Sequence, residues 1–135
     1  MRKKNQEYFN LLPKEELVMK VLWDTEDALS GSEIAERIPN RDWPAASIQN
    51  ILRSLEKKNA IRVDAITKLG KSYGRLFRPT ISADEYAASQ FERYYNNGKK
   101  AFSSLVLTLI DKTSVGKEEI VQTLQDIMET YDKRE

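Results

Sequence analysis

The sequence predicts a mainly α-helical fold with one small β-hairpin, divided into a first domain over residues 1–80 and a helical domain over residues 81–135. Three observations predict this class. Three amphipathic helix patterns precede two alternating, strand-like runs that a Gly-containing turn joins. Three more amphipathic patterns follow the hairpin. The 135 residues suffice for one ordinary core and a small appended module, which agrees with this division.

The first two helices have clear start signals. Pro13 suits the first turn of a helix, and Ser30 and Glu33 form a Ser-x-x-Glu capping box ahead of the second helix, which stops at Pro39. Apolar residues recur at helical spacing, at Leu17, Val18, Val21, Leu22 and Trp23 in the first helix and at Ile34, Ala35 and Ile38 in the second.

The third helix is predicted to run from near Pro44 to about Asn59. Its apolar face consists of Ile48, Ile51, Leu52 and Leu55. The positions opposite that face, with Gln49 and Ser54 on the flanks, are Ala46, Asn50, Arg53 and Lys57. The exposed face thus carries a small residue near its N-terminus, an amide side chain in the middle and cations near its C-terminus.

This exposed face has the composition of a helix that enters the major groove of DNA. Ser47, Gln49 and Asn50 offer hydrogen-bonding groups that distinguish bases. The cations suited to phosphate contacts are Arg53, Lys57 and Lys58. The solvated face of an ordinary surface helix has a similar composition, so that alternative stays open here.

The hairpin strands are predicted at residues 61–66 and 73–78, joined through residues 67–72. A two-stranded hairpin is marginal alone, so we expect it to pack on the helices. Lys68 and Lys71 then lie at an exposed tip, where a wing touches the sugar-phosphate backbone. A charged, solubilising turn is the alternative.

Residues 43–79 combine the third helix with the hairpin and are strongly basic. Eight cations there stand against Glu56 and Asp64, an excess of six positive charges, whereas the whole chain carries +1. The cations are Arg53, Lys57, Lys58, Arg62, Lys68, Lys71, Arg75 and Arg78. A helix followed by a basic hairpin is typical of a winged helix-turn-helix, which predicts binding to double-stranded DNA by residues 1–80.

The charge balance changes along the chain. Residues 1–80 hold 15 Lys/Arg and 11 Asp/Glu, and residues 81–135 hold 7 and 10. A basic front half and an acidic back half suit a nucleic-acid reader joined to a module of another kind, although ordinary surface variation is the alternative.

Composition excludes several kinds of chemistry. The chain has no Cys and no His, so disulfides, thiolate nucleophiles, His-based acid–base catalysis and His- or Cys-ligated metals are excluded. The carboxylates of Glu15 and Glu16 point in different directions on a helix, as do those of Glu118 and Glu119. We therefore predict no catalytic residue, no metal and no cofactor. An enzyme that uses only Asp, Glu, Tyr or Lys stays as a minor alternative.

Neither a membrane span nor a signal peptide is recognisable. No apolar run approaches the length of about 18 residues that a membrane-spanning helix needs, and the first residues lack the apolar segment of a signal peptide. A cytoplasmic location without membrane contact is the expectation.

Residues 81–135 are predicted to form three amphipathic helices. Ser82 and Glu85 form a capping box for the first, which ends near Asn97 and Gly98, and the third is entered near Ser114. Their apolar residues are Tyr86, Phe91, Tyr94 and Tyr95 in the first, Ala101, Phe102, Leu105, Val106, Leu109 and Ile110 in the second, and Ile120, Leu124, Ile127, Met128 and Tyr131 in the third.

So many apolar side chains on such short helices predict a homodimer that buries the surplus across a two-fold axis. The residues expected to form the dimer contacts are Phe102, Leu105, Val106, Leu109, Ile110, Ile120, Leu124, Ile127 and Met128. A bundle packed against the front half of the same chain is the alternative. Two linked DNA-binding units raise the apparent affinity by roughly 10²–10⁴, so separating these helices would release DNA.

Three separated segments resemble the penicillinase and methicillin-resistance repressors of the BlaI/MecI type, whose relatives include CopY-type copper-responsive repressors. The segments are residues 12–23 (LPKEELVMKVLW), Trp43 with residues 47–58 (SIQNILRSLEKK), and residues 102–107 (FSSLVL), and the likeness extends over about residues 10–130. The resemblance implies a homodimeric winged-helix repressor that binds palindromic operators with TACA/TGTA-type half-sites.

By position, the resemblance implies that Ser47, Gln49 and Asn50 read bases, with Arg53 and the hairpin lysines near phosphates. The DNA-binding residues predicted in all are Ala46, Ser47, Gln49, Asn50, Arg53, Lys57, Lys68, Lys71 and Arg75. The family often has Lys at the position of Ala46 and Ser-Pro at Pro44 and Ala45, so the half-site preference need not transfer.

The inducing signal is not implied. Resistance members of the family are cleaved at an Asn-Phe bond where this chain has Thr108 and Leu109, and copper-sensing members use a Cys-x-Cys pair that this chain lacks. A sensor or protease partner is unidentified. A winged helix that binds another protein rather than DNA is the second interpretation.

Overall fold

Six helices and one antiparallel hairpin make up residues 10–94 and 99–134, the part of the chain that this computed structural model describes. The elements are α1 (Pro13–Trp23), α2 (Gly31–Arg37), a 3-10 turn (Ala45–Ser47), α3 (Ile48–Lys57), β1 (Ile61–Leu69), β2 (Ser72–Pro79), α4 (Ala83–Tyr94), α5 (Lys99–Lys112) and α6 (Lys117–Lys133). They form two compact units that divide between Phe91 and Glu92. In the described ranges, no helix combines the length and apolar character needed to cross a membrane.

The core of the first unit confirms the apolar stripes read from the sequence, except that Leu17 and Trp23 are only partly buried and pack against it. Its buried residues come from the three helices, the segments that flank them, the start of β1 and Phe77 of β2. They are Leu11, Val18, Met19, Val21, Leu22, Leu29, Ile34, Ala35, Ile38, Trp43, Ile48, Ile51, Leu52, Leu55, Ala60, Ile61 and Phe77. Burial of aliphatic side chains contributes about 1.5–3 kcal/mol each, so this cluster is the main source of stability for the unit.

The predicted capping box of α2 is present. The Ser30 hydroxyl accepts from the backbone N–H of Glu33 at 3.2 Å, and the Glu33 carboxylate accepts from the N–H of Ser30 at 2.9 Å. Beyond α2, the Arg41 guanidinium donates to the carbonyl oxygens of Ala35 and Trp43 at 2.6 and 2.8 Å. These bonds fix the connection that leads to α3.

The third helix is shorter than predicted, because a separate 3-10 turn precedes it. Pro44 caps that turn and lies outside the helix, and α3 begins at Ile48. At the other end Asn59 adopts a positive φ of 64°. The N–H of Asn59 donates to the carbonyl of Glu56, and the N–H of Ala60 to that of Leu55, which is the Schellman pattern of a helix stop.

The hairpin is longer than predicted, and its turn is shorter. The strands extend to Leu69 and from Ser72, so the six-residue connection expected from the sequence is in fact a two-residue turn at Gly70 and Lys71. Gly70 has a φ of 64°, which Gly adopts without strain. Lys68 therefore lies in β1 rather than in the turn, paired with Tyr73 in the strand register.

The hairpin is joined to the helices at its base. Leu29 and Phe77 exchange two backbone hydrogen bonds, 3.1 Å from the Leu29 N–H and 2.8 Å from the Phe77 N–H. A register shift between Val63 and Ala65 places Asp64 in a bulge. With the helix order α1, α2 and α3, this is the predicted winged helix-turn-helix.

The α4 helix starts at the predicted capping box, and its first turns belong to the first unit and pack on the rest of it. Ser82 and Glu85 exchange hydrogen bonds of 2.9 and 3.0 Å. The ring centroids of Trp23 and Tyr86 lie 6.0 Å apart, and the Trp23 indole N–H donates to the Ile81 carbonyl at 2.8 Å. The predicted end of this helix at Asn97 and Gly98, and the side chain of Tyr95, lie outside the described residues.

The two remaining helices form most of the second unit. The α6 helix begins at Lys117 with Gly116 as its N-cap, three residues later than the start near Ser114 expected from the sequence. Every side chain described on α5 and α6 is at least partly exposed. An isolated pair of amphipathic helices with no buried residue is a marginal structure in water.

Candidate nucleic-acid interface

The exposed side of α3 and its preceding turn displays the residues predicted to read DNA. Ala46, Gln49 and Asn50 are exposed, and Ser47 is half-buried at the start of the helix. Arg53 and Lys57 follow on the same side, also exposed. The helix thus presents small and amide groups first and cations last, as a major-groove helix requires.

Asn50 and Arg53 form a pair on this surface. The Arg53 Nη1 donates to the Asn50 Oδ1 at 2.7 Å, across one turn of the helix. Among the residues that the structure describes, no acceptor takes a hydrogen from the amide N–H₂ of Asn50, so both donors are available to DNA. Arg53 is thereby oriented toward the N-terminal half of the helix, where bases would be read.

Lys58, which was predicted to meet a phosphate, is engaged by contacts within the chain and keeps 27% of its side chain exposed. Its Nζ lies 2.5 Å from Oε1 of Glu15 in α1 and also donates to the carbonyl of Asn10 at 2.8 Å. Ser54, placed on the flank of the reading face, likewise turns inward and donates to Oε2 of Glu15 at 2.6 Å. Both side chains hold α3 against α1.

Glu15 is the buried anion at the centre of this contact, with 3% of its surface exposed. Burial by itself raises the pKa of Glu15, but hydrogen bonds from Lys58, Ser54 and the Leu12 N–H, together with the charge of Lys58, outweigh it. The pKa of Glu15 therefore lies below its ordinary value. The carboxylate is ionised and fully partnered at neutral pH.

The β1–β2 hairpin is the wing of this fold. Asp64 pairs with two further cations at its base. The Arg62 Nη1 lies 2.7 Å from Oδ1 of Asp64, and the Arg78 Nε lies 3.0 Å from Oδ2. The hydrogen bond from Arg62, followed by the one from Arg78, lowers the pKa of the Asp64 carboxyl. Arg78 also donates to the carbonyl of Glu26. These two arginines brace the hairpin.

Arg75 connects the wing to α3, the helix predicted to read DNA. Its Nη1 lies 3.3 Å from a carboxylate oxygen of Glu56 in α3, and its guanidinium stands 5.1 Å from the centre of the Phe77 ring. Both charged side chains remain partly exposed, so the pair contributes little to stability. It is a direct side-chain contact between the second strand and α3.

The basic excess of residues 43–79 therefore separates into two groups. Ion pairs engage Lys58, Arg62, Arg75 and Arg78. Within the described ranges, no ion pair engages the other four cations, which are Arg53, Lys57, Lys68 and Lys71. All four are exposed, two on α3 and two on the wing. Exposed cations without an ion pair are what a phosphate backbone attracts.

A polar cleft of about 320 Å³ separates the wing from the helices. Ser32 of α2, Gln49 of α3, and Tyr73 and Arg75 of β2 contribute to its lining. Gly31 permits this arrangement, because a Cβ atom there would lie 3.0 Å from Nε2 of Gln49 and 3.1 Å from Cδ1 of Leu52. The cleft lies beside the face that carries Asn50.

The sequence pattern alone did not point to Glu15, Gly31 or Tyr73 as parts of this region. From the sequence, Glu15 is an ordinary acidic residue in the first turn of a helix, and its partner Lys58 is 43 residues away. Tyr73 reads as the first residue of an alternating strand. A usable signal was present for Tyr73, since an aromatic residue between Lys71 and Arg75 is typical of a nucleic-acid surface.

The residues expected at a dimer interface lie on open helix faces of the second unit. An apolar groove of about 310 Å³ runs between α5 and α6, and its lining includes Val106, Leu109, Ile110, Ile120, Leu124 and Ile127. Phe102 and Met128 are exposed, and Leu105 is half-buried. Leu109 and Ile127 retain 53% and 57% of their surface. These apolar faces are unusual for a solvated surface.

Comparison with known proteins places these features in context. The sequence matches the family described as Penicillinase repressor over residues 11–130. Among solved structures, one similar chain is a mutant of MepR from S. aureus, with a TM-score of 0.44 and 16% identity over 93% of this chain and 80% of that chain.

A second MepR mutant, from a multidrug resistant S. aureus clinical isolate, gives a TM-score of 0.41 and 15% identity over 90% of this chain and 78% of that chain. No curated protein matches the sequence. The family match spans every strand and all helices from α1 into α6.

Proposed function

The chain belongs to the penicillinase repressor family, whose members are DNA-binding transcriptional repressors and not enzymes, and on this premise we propose that it acts as a homodimer on a palindromic operator. In this proposal α3 enters the major groove, the wing holds the backbone, and the bound dimer excludes the transcription machinery from the promoter. The protein then acts in the cytoplasm, where bacterial promoters lie.

The observation that carries the proposal is the set of four cations without an ion pair in the described ranges, together with the Asn50 amide. Arg53, Lys57, Lys68 and Lys71 extend from the helix end to the wing tip. Each phosphate that such a cation neutralises releases counterions, which supplies affinity without sequence preference. Asn50 can form a bidentate contact with adenine, which supplies sequence preference.

The apolar groove between α5 and α6 supports the homodimer. A single small winged helix makes few contacts and binds weakly at physiological salt. A second copy packed on the open faces of α5 and α6 would cover side chains such as Leu109 and Ile127, which are more than half exposed. Two-fold symmetry then presents two reading helices to two half-sites of opposite orientation.

Selection of DNA by the purified full chain tests the proposal. The chain is incubated with random duplexes, the bound fraction is sequenced, and binding to the enriched duplex is then measured by fluorescence anisotropy over a range of salt concentrations. We expect a palindromic consensus and an affinity that falls linearly on a log–log plot against salt. Absence of any enriched sequence, or binding indifferent to salt, would contradict the proposal.

The second interpretation, a winged helix that binds protein, makes a different prediction in the same experiment. A protein-binding module has no reason to enrich any duplex, and its weak attraction to DNA would depend on charge alone. An enriched half-site that disappears with Asn50→Ala is therefore sufficient to reject it.

A further inference from the structure

We propose that Tyr73 and Ile66 of the wing pack against deoxyribose rings at the edge of the minor groove, so that the wing binds DNA through apolar contact as well as charge. This inference rests on the proposed function and extends it. The sequence pattern assigned the wing only a basic tip that touches phosphates.

The strand register places four side chains on one face of the wing. Tyr73, Arg75 and Phe77 alternate along β2 and share a face. In the antiparallel register, Lys68 lies opposite Tyr73, and Ile66 lies opposite Arg75. Residues opposite each other share a face, so Ile66 and Lys68 belong to the same surface. We call these four residues, Ile66, Lys68, Tyr73 and Arg75, the wing face.

Contacts at the base of the hairpin show which way the wing face is turned. Phe77, next to it along the strand, is buried in the core. Arg75 pairs with Glu56 of α3, and Tyr73 lines the same cleft as Gln49. The wing face is therefore directed toward the side on which α3 displays its reading residues. A duplex bound to α3 would meet it.

The wing face combines two exposed apolar side chains with two cations. Tyr73 retains 72% of its surface and Ile66 retains 68%. Nothing in the packing of the described residues requires them to be apolar, because the hairpin is held at its base by Leu29 and Phe77. Apolar and aromatic side chains among basic ones are typical of proteins that contact sugars and bases in addition to phosphates.

The surrounding charge favours DNA over an apolar protein partner. Lys68 and Arg75 share the wing face, and Lys71 lies in the adjoining turn. Three cations around two apolar side chains attract a polyanion whose backbone also offers apolar surface. Deoxyribose between phosphates has this chemistry.

Three variants test the inference on the duplex enriched by the wild-type chain. Tyr73→Ala removes the ring, Tyr73→Phe keeps the ring and removes the hydroxyl, and Lys68→Ala removes a neighbouring charge on the same face. Affinity is measured at several salt concentrations, and thermal unfolding confirms that each variant is folded.

We expect Tyr73→Ala to raise Kd about tenfold at every salt concentration, so that the slope of log K against log salt stays unchanged. Tyr73→Phe should bind within about twofold of wild type, because the contact is made by the ring. Lys68→Ala should reduce the slope by about one, since each phosphate contact contributes close to that amount.

Hydroxyl-radical cleavage of the same duplex gives a second readout, because the radical attacks deoxyribose from the minor groove. Protection beside each half-site should weaken with Tyr73→Ala and persist with Tyr73→Phe. Ile66→Ala serves as the second variant if Tyr73→Ala is unfolded, with the same expected loss of affinity at constant slope.

The inference is overturned if Tyr73→Ala binds like wild type, or if its loss of affinity comes with the reduced slope of Lys68→Ala. Unchanged DNA binding by both Tyr73→Ala and Ile66→Ala would assign the wing face to a protein partner instead. Failure of the proposed function is distinguishable, because the wild-type chain would then enrich no duplex at all.

Discussion

The Nζ of Lys58 lies 2.5 Å from Oε1 of Glu15, which joins the C-terminal end of α3 to the first turn of α1. Ser54, one turn earlier in α3, donates to the other carboxylate oxygen of Glu15 at 2.6 Å. Two points one turn apart on α3 are thereby fixed to a single buried anion. The C-terminal half of α3 is therefore held against α1.

Replacing Glu15 with Gln is expected to destabilise the first unit by about 2 kcal/mol, the usual cost of losing hydrogen bonds to a charged group. Chemical denaturation monitored by tryptophan fluorescence measures the change. Glu16→Gln is the matched control, because Glu16 is the exposed neighbour in α1 and its variant should unfold like wild type. Equal stability of the two variants would show that the Glu15 contact is unimportant.

The stability of the first unit should fall in acid because Glu15 has a lowered pKa. The unfolded chain binds a proton at about its ordinary pKa of 4.5, whereas the folded chain binds it only at lower pH. The stabilising contribution is therefore complete above pH 4.5 and is lost as the pH falls through the pKa of the folded state.

Denaturation curves between pH 7 and pH 3 measure this dependence. Wild type should lose more stability over that range than Glu15→Gln, which has no carboxyl to titrate at this position. The pKa of Asp64 is also lowered, so a smaller acid dependence should persist in the variant. Parallel curves for the two proteins would argue against the lowered pKa.

Lys57 and Lys58 are sequence neighbours with different expected roles. Lys57 is exposed and carries no ion pair among the described residues, whereas Lys58 is bound to Glu15. Lys57→Ala should reduce the salt slope of DNA binding by about one and leave unfolding unchanged. Lys58→Ala should lower the free energy of unfolding by about 2 kcal/mol, because it leaves a buried carboxylate without its cation.

Anisotropy titrations and denaturation curves on the two lysine variants decide between these roles. Should Lys57→Ala prove the less stable protein, the assignment of the two residues would have to be exchanged.

Asn50 and Lys68 are expected to differ in how they affect sequence discrimination. Asn50→Ala should reduce the preference for the enriched duplex over random DNA by about 1–3 kcal/mol, the range for a bidentate base contact. Lys68→Ala should weaken binding to both duplexes about equally, because phosphates carry no sequence. Competition titrations with random DNA give both numbers, and identical behaviour of the two variants would refute the division of roles.

The groove between α5 and α6 is expected to be essential for dimer formation. Ile127→Asp puts a charge on an apolar groove position, which should shift the chain to a monomer and lower operator affinity about 10²-fold or more. Gln125→Asp adds the same charge to an exposed polar position of the same helix and should remain dimeric. Sedimentation velocity separates the two species, and a dimeric Ile127→Asp would exclude this groove from the interface.

The apolar stripes of the first three helices were predictable, because their spacing is local and the core uses the residues that the spacing selects. Val18, Ile34 and Leu52 are fully buried as expected. The capping boxes at Ser30 and Ser82 were predictable for the same reason, since their partners lie three residues away.

Relationships over long sequence distances were not predictable. From the sequence, Lys58 is one of several cations at a basic helix end. Its contact with Glu15 exists only in the folded chain. The hairpin length was missed because Thr67, Lys68 and Ser72 are polar residues around Gly70, as in a loop, while the structure pairs residues 67–69 as strand. Leu69 fits there because Gly74 leaves room, since a Cβ atom at Gly74 would lie 2.2 Å from the Leu69 Cδ1.

The two tryptophans are placed so that they serve as intrinsic fluorescence probes of the first unit. Trp23 packs beside Tyr86 and Trp43 lies in the core beneath Arg41, so both indoles are in the first unit and the second unit contains neither. Indole emission therefore follows the unfolding of the winged helix alone, while far-ultraviolet circular dichroism follows every helix. A difference between the two melting curves measures the second unit separately, in the native sequence and without any label.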